Sequence, residues 1–125
     1  MRTVAIVLAA AVAVATPAFA QSGATLDTFV TRANRIPLNP LAALRPDARR
    51  LVNEANAAFT IVRTDIRAAR AAGRPAAACP PAEMQVNPRQ LLAFLNAIPQ
   101  PRRARMSVAD GFREWMANRY PCPAA

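Results

Sequence analysis

Apolar residues recur along this chain at helical spacing, and prolines cut the recurrence into segments. Leu26, Phe29, Val30 and Ala33 fall at i, i+3, i+4 and i+7, so the spacing predicts a first helix from about Thr25 to Arg35 with Thr25 as its N-cap. Ile36-Pro37-Leu38-Asn39-Pro40 ends it, because proline cannot continue a helix and disfavours helical geometry just before itself. Leu41 to Leu44 fits a single turn capped by Asn39. The longest pattern runs from about Asp47 to Ala72. Leu51, Val52, Ala55, Ala58, Phe59, Val62, Ile66 and Ala69 share one face at 100° per residue, and Arg49, Arg50, Asn53, Glu54, Arg63, Arg67 and Arg70 lie elsewhere. Gly73 followed by Pro75 is the order expected after a helix C-terminus. A weaker stripe of Ala57, Ile61, Ala68 and Ala72 lies off the main face, and reads either as helix-forming filler or as a close helix contact, between subunits or within one.

Arg74 to Val86 is a proline-rich connector. Asn87 caps the next helix, with Pro88 at its first position, where a missing N–H costs nothing. Leu91, Leu92, Phe94, Leu95 and Ile98 make that helix apolar over a wide arc, which predicts a central place for it. Pro99 stops it and Pro101 is expected to keep the next residues from resuming. Ser107 and Asp110 form a capping-box pattern for a last helix, whose buried face is Val108, Phe112, Trp115 and Met116. Gly111 inside that helix costs about 1 kcal/mol relative to alanine, which suits close packing against a neighbour. No strand-like alternation and no internal repeat are present. The fold class expected is therefore all-α, a small helical bundle of four to five helices with one disulfide.

The N-terminus changes the setting of that bundle. Arg2, the apolar run Val4 to Ala15 and the A-x-A pattern Ala18-Phe19-Ala20 make a secretory signal over residues 1–20, so that residues 21–125 form a single exported domain. The apolar run is shorter than the ~20 residues a membrane span needs, so no span is expected after cleavage. The location expected is periplasmic. The only two cysteines, Cys79 and Cys122, then most simply make one disulfide. No C-x-x-C motif is present, and two isolated cysteines without histidine make a weak metal site.

Charge alters the picture less. The full chain carries +9, and loss of Arg2 with the signal leaves +8. The basic residues are all arginine and are scattered, which fits solvated helix faces better than a nucleic-acid surface. Arg102, Arg103 and Arg105 form a compact basic loop, read either as solvated or as the contact for an acidic protein surface or an anionic envelope component. Without histidine there is no Ser-His-Asp or Cys-His arrangement. Asp110 and Glu114 lie one turn apart but are better read as a cap and a solvated group than as catalytic carboxylates. With three glycines there is no phosphate loop. No enzyme activity, no cofactor and no metal are expected.

Cys79-Pro80-Pro81, a short polar spacer, Asn87-Pro88-Arg89-Gln90-Leu91-Leu92-Ala93-Phe94-Leu95, Ile98-Pro99 and the closing Trp115-Met116-Ala117-Asn118-Arg119-Tyr120-Pro121-Cys122-Pro123 resemble the Rap/Tai-type immunity proteins of type VI secretion. The resemblance covers about residues 78–123. It implies a periplasmic, all-helical, disulfide-containing protein, often a homodimer, that binds over the cleft of a peptidoglycan-cleaving amidase effector and blocks it. The other reading is a small basic envelope protein, a structural or stress-related binding module with no toxin partner. The first half departs from the family pattern. Where the family has a further cysteine and a glycine-containing segment, this chain has Ala57-Ala58-Phe59-Thr60-Ile61-Val62-Arg63, so the family's first disulfide has no counterpart. No effector-contact residues carry over.

Overall fold

The computed structural model describes residues 24–123. The signal-peptide expectation for residues 1–20 lies outside them. Among the described residues there are five α-helices and no strand: α1 Leu26–Asn34, α2 Pro46–Ala71, α3 Pro88–Ala97, α4 Gln100–Arg103 and α5 Val108–Arg119, with a 3-10 helix, Pro40–Leu44, between α1 and α2. The all-α bundle with one disulfide is thus the observed fold. None of these helices is long and apolar enough to cross a membrane.

Local polar chemistry starts and stops the elements where the sequence suggests. The Thr25 hydroxyl accepts from the Thr28 N–H at 3.2 Å, and Asn39 Oδ1 accepts from the Ala42 N–H at 3.0 Å. Asn87 Oδ1 accepts from the Arg89 and Gln90 N–H groups. At α5 the box is reciprocal: Asp110 N–H donates to Ser107 Oγ and Ser107 N–H donates to Asp110 Oδ2, both at 3.0 Å. These bonds satisfy donors that a helix start leaves without intrahelical partners. α2 ends at Gly73, which has φ +66°, with Arg74 N–H donating to Ala69 C=O at 2.8 Å and Gly73 N–H to Arg70 C=O at 3.1 Å. A side chain is strained in that left-handed conformation, so glycine fits there.

Packing centres on α5. The expectation that α3 sits centrally is corrected: α5 packs against α1, α2 and α3, whereas α3 packs chiefly against α1 and α5. Phe112 on α5 is fully buried. Its ring meets Phe29 of α1 at 5.7 Å and Phe59 of α2 at 4.4 Å between centroids. Trp115 extends the cluster to Phe59 and Tyr120. Beside Phe112, Gly111 lets α1 in close: a Cβ there would meet Leu26 Cδ2 at 2.6 Å. The same approach is fixed by Leu26 N–H donating to Met106 C=O at 2.8 Å.

The disulfide joins Cys79 to Cys122, with 4.9 Å between their Cα atoms. Cys79 N–H also donates to Tyr120 C=O at 2.9 Å, so the connector before α3 is tied to the end of α5. Ion pairs hold the outside. Arg32 of α1 donates to both carboxylate oxygens of Glu54 on α2, and Arg113 of α5 bridges Asp65 on α2 and Asp110 on its own helix.

Candidate functional site

The basic segment Arg102, Arg103 and Arg105 does not act as one surface. Pro99 does stop α3, but Pro101 does not prevent a new turn; it stands in the first turn of α4, where the absent N–H has no helical partner in any case. That turn swings Arg103 inward. Its Nε donates to Asp27 Oδ1 at 3.2 Å, and its Nη1 donates to the carbonyls of Asn96 and Ile98 at 3.1 and 2.8 Å. The side chain keeps only 15% of its exposure. Arg103 therefore closes the C-terminal carbonyls of α3, where a cation is favoured, and clamps α1 to α3. Arg102 donates to Glu114 at 2.6 Å, so Glu114 is paired and not simply solvated. Arg105 stays exposed.

Six of the seven carboxylates are committed in the same way, Glu83 of the connector being the exception among the described residues. Asp27, Asp47, Glu54, Asp65, Asp110 and Glu114 each pair with an arginine. Partial burial pushes the Asp110 carboxyl up, but the hydrogen bonds from Ser107 and the Arg113 guanidinium more than offset it and hold it below its ordinary value. The Arg45 hydrogen bond lowers that of Asp47. No cluster of metal-ligating side chains occurs among the described residues.

What the molecule offers instead is exposed apolar side chains, and among the described residues the large ones that stand exposed all lie on the first half. Leu41 and Leu44 are 74% and 75% exposed, and Leu38, Val52 and Ile61 are about half exposed. The cause is geometric. In a 3-10 helix residues i and i+3 eclipse, so Leu41 and Leu44 stack along one edge. Ala42 faces α2 and is buried, which turns that leucine edge to solvent. Val52 lies on the face of α2 predicted to be buried; the correction is that it stays 57% exposed, flanked by the 3-10 helix and a cleft but covered by neither. The alanine stripe with Ile61 is likewise exposed, so within one chain it makes no helix contact.

Leu38 and Val52 also stand at the mouth of a cleft of about 610 Å³. Its walls are Phe29, Ala33 and Ile36 from α1 and the link after it, and Ala48, Leu51, Ala55 and Phe59 from α2. Met84 and Val86 of the connector and Leu91, Leu92 and Leu95 of α3 complete it. Asn56, Thr60 and Arg63 form a polar edge on α2, and Arg63 is the single charged group in the lining. A mainly apolar cavity of this size, with a few polar groups at one side, has the dimensions of a small-ligand site. Sequence reasoning missed it. The signal lay in the wide apolar arc of α3 and in Met84 and Val86, two large apolar residues in an otherwise alanine- and proline-rich connector.

No family model, curated protein or solved structure matches this chain.

Proposed function

We propose that this is an exported, non-catalytic binding protein that blocks a peptidoglycan-cleaving amidase by covering its cleft. The observation that carries the reading is the leucine edge, Leu38, Leu41 and Leu44 with Val52, held out to solvent on a cross-linked frame. An exposed apolar patch of this kind on a small domain marks an interaction surface. The disulfide suits an oxidising compartment such as the periplasm, and the pairing of the acidic side chains with arginine leaves a surface better fitted to binding than to proton transfer. The likeness of residues 78–123 to immunity proteins supplies the partner class.

The test is capture of a cell-wall hydrolase from periplasmic extract on residues 21–125, followed by a peptidoglycan-hydrolysis assay with and without the protein. Stoichiometric inhibition is expected. Capture of no hydrolase, with no protection of cells against amidase toxins, overturns the reading. A second reading draws on Arg49, Arg50, Arg67 and Arg70 of α2, which are exposed and enter no ion pair among the described residues. On that reading the protein binds anionic envelope material, and its binding falls steeply with salt.

A further inference from the structure

The cleft between α1, α2, the connector and α3 meets the leucine edge at Leu38 and Val52 but has its own chemistry beyond them. Protein interiors are close-packed, and a wall facing a void forfeits dispersion contacts on that side. Phe59, Met84, Val86 and Leu92 are only partly buried and present apolar surface to this space. An apolar guest would complete their packing.

The guest's other end is set by Arg63. Its side chain lines the cleft, is half-buried, and joins no ion pair among the described residues. No acidic residue lines the cleft to oppose it. Val52, Asn56, Thr60 and Arg63 form one row along α2, so the rim changes from apolar at Val52 to cationic at Arg63 over about 16 Å, at ~1.5 Å of rise per residue. The Thr60 hydroxyl, one turn before Arg63, spends its proton on Asn56 C=O at 2.9 Å, which leaves Arg63 as the donor at that end of the cleft. The cleft is thus long, apolar along its length, and electropositive at one end. A guanidinium pairs a carboxylate through two parallel N–H···O bonds, and that pairing gains strength where water is partly excluded.

We propose that this cleft binds a single-chain aliphatic carboxylate, with its hydrocarbon chain along Leu51, Ala55, Phe59 and Leu92 and its head group on Arg63. A volume of about 610 Å³ lies within the range of one small ligand, which favours one chain over a two-chain lipid. The inference does not rest on the inhibitor reading, whose failure is read separately by hydrolase inhibition.

The test is calorimetric titration of residues 21–125 with decanoate below its micellar concentration, alongside decanol and decyltrimethylammonium. Decanoate is expected to bind one to one and about tenfold more tightly than decanol, with no measurable binding of the cation. Arg63→Gln should bring decanoate down to the level of decanol and leave decanol unchanged. Arg74→Gln, exposed at the start of the connector and outside the cleft lining, should change neither. Ala55→Trp, which fills the cleft, should abolish both; if that variant loses its helical circular dichroism, Leu92→Trp serves in its place. Equal binding of decanoate and decanol, or decanoate binding that survives Arg63→Gln, overturns the proposal. So does an absence of decanoate binding, whether or not sedimentation then shows a dimer that Ala55→Trp disperses, in which case the cleft belongs to a second copy of the chain.

Discussion

The two halves of this molecule deal with their apolar residues in opposite ways. From Ala78 to Pro123 every large apolar side chain is buried or half-buried, whereas the five exposed ones all lie between Leu38 and Ile61. Helix length accounts for much of the contrast. α2 has 26 residues and is about 39 Å long, while α5, its main partner, has 12 and is about 18 Å long. A short helix cannot cover a long one, so the start of α2's apolar stripe has the 3-10 helix beside it and keeps Val52 exposed. The second half is also tied at several points, by the disulfide, by the Arg103 clamp and by the capping box. One half is built to hold shape; the other has surface left over. The first half carries the exposed leucines and most of the cleft walls, and so the surfaces proposed for binding.

The largest expected break in this contrast comes from the disulfide. Cross-linking closes a loop of roughly 44 residues, for which chain entropy gives a stabilisation of about 4 kcal/mol. Cys79→Ser with Cys122→Ser should lower the urea-unfolding free energy by about that amount. Amide exchange should show α3 and α5 loosening before α2. Equal loosening of both halves would mean that the closed half does not owe its rigidity to the bond.

Arg103 comes next. Arg103→Met keeps the stem but leaves Asp27 only its Gln100 hydrogen bond and strands the carbonyls of Asn96 and Ile98, at a cost of about 1–3 kcal/mol. Arg105→Met removes an exposed side chain and should fall within about 0.5 kcal/mol of the parent. Comparing their thermal midpoints separates one arginine that holds the fold from another that sits beside it in sequence.

The cap of α5 gives a smaller, pH-dependent effect. The folded-state pKa of Asp110 is lowered by its hydrogen bonds. The unfolded chain then binds the proton more readily, so the cap's contribution is complete above the ordinary carboxylate value of about 3.9 and is lost as pH falls below it. Urea midpoints should therefore decline between about pH 5 and pH 2, and Asp110→Asn should flatten part of that decline. Ser107→Ala should cost about 1 kcal/mol at neutral pH.

These local devices were also the legible part of the sequence. Thr25, Asn39, Asn87, Ser107 with Asp110, and Gly73 act on backbone groups within a few residues of themselves, so their chemistry can be read without knowing the fold. Two cysteines in one chain have few ways to pair. What escaped reading depends on distant neighbours. Periodicity placed Leu51, Ala58, Val62 and Ile66 on the buried face of α2 correctly, but Val52 at its margin needs an opposing element to cover it, and the short 3-10 helix leaves it exposed. Arg103 looked like part of a basic loop because nothing nearby in sequence shows that Asp27 lies within reach. The cleft is the clearest case. Its walls come from four separate stretches, and a cavity is a property of how they fail to meet.

The smallest expected change in stability is also the sharpest test of the open half. Burying a leucine fully gains about 1.5–3 kcal/mol, and that gain is lost if the side chain is truncated in a core. Leu41 and Leu44 keep about three-quarters of their exposure, so the fold has gained little from either. Leu41→Ser with Leu44→Ser should therefore leave the unfolding free energy within about 0.5 kcal/mol of the parent, as for other exposed sites. If the edge seats a partner, the same pair should weaken that complex by about 3 kcal/mol, roughly a hundredfold in Kd, because both side chains would then be leaving a buried interface. Unfolding and hydrolase inhibition measured on one variant read the two quantities side by side. A double variant that unfolds easily would show the leucines to be part of the core's support. A stable one that still inhibits would move the contact surface away from the 3-10 helix. Stability kept and inhibition lost is the result that the difference between the halves requires.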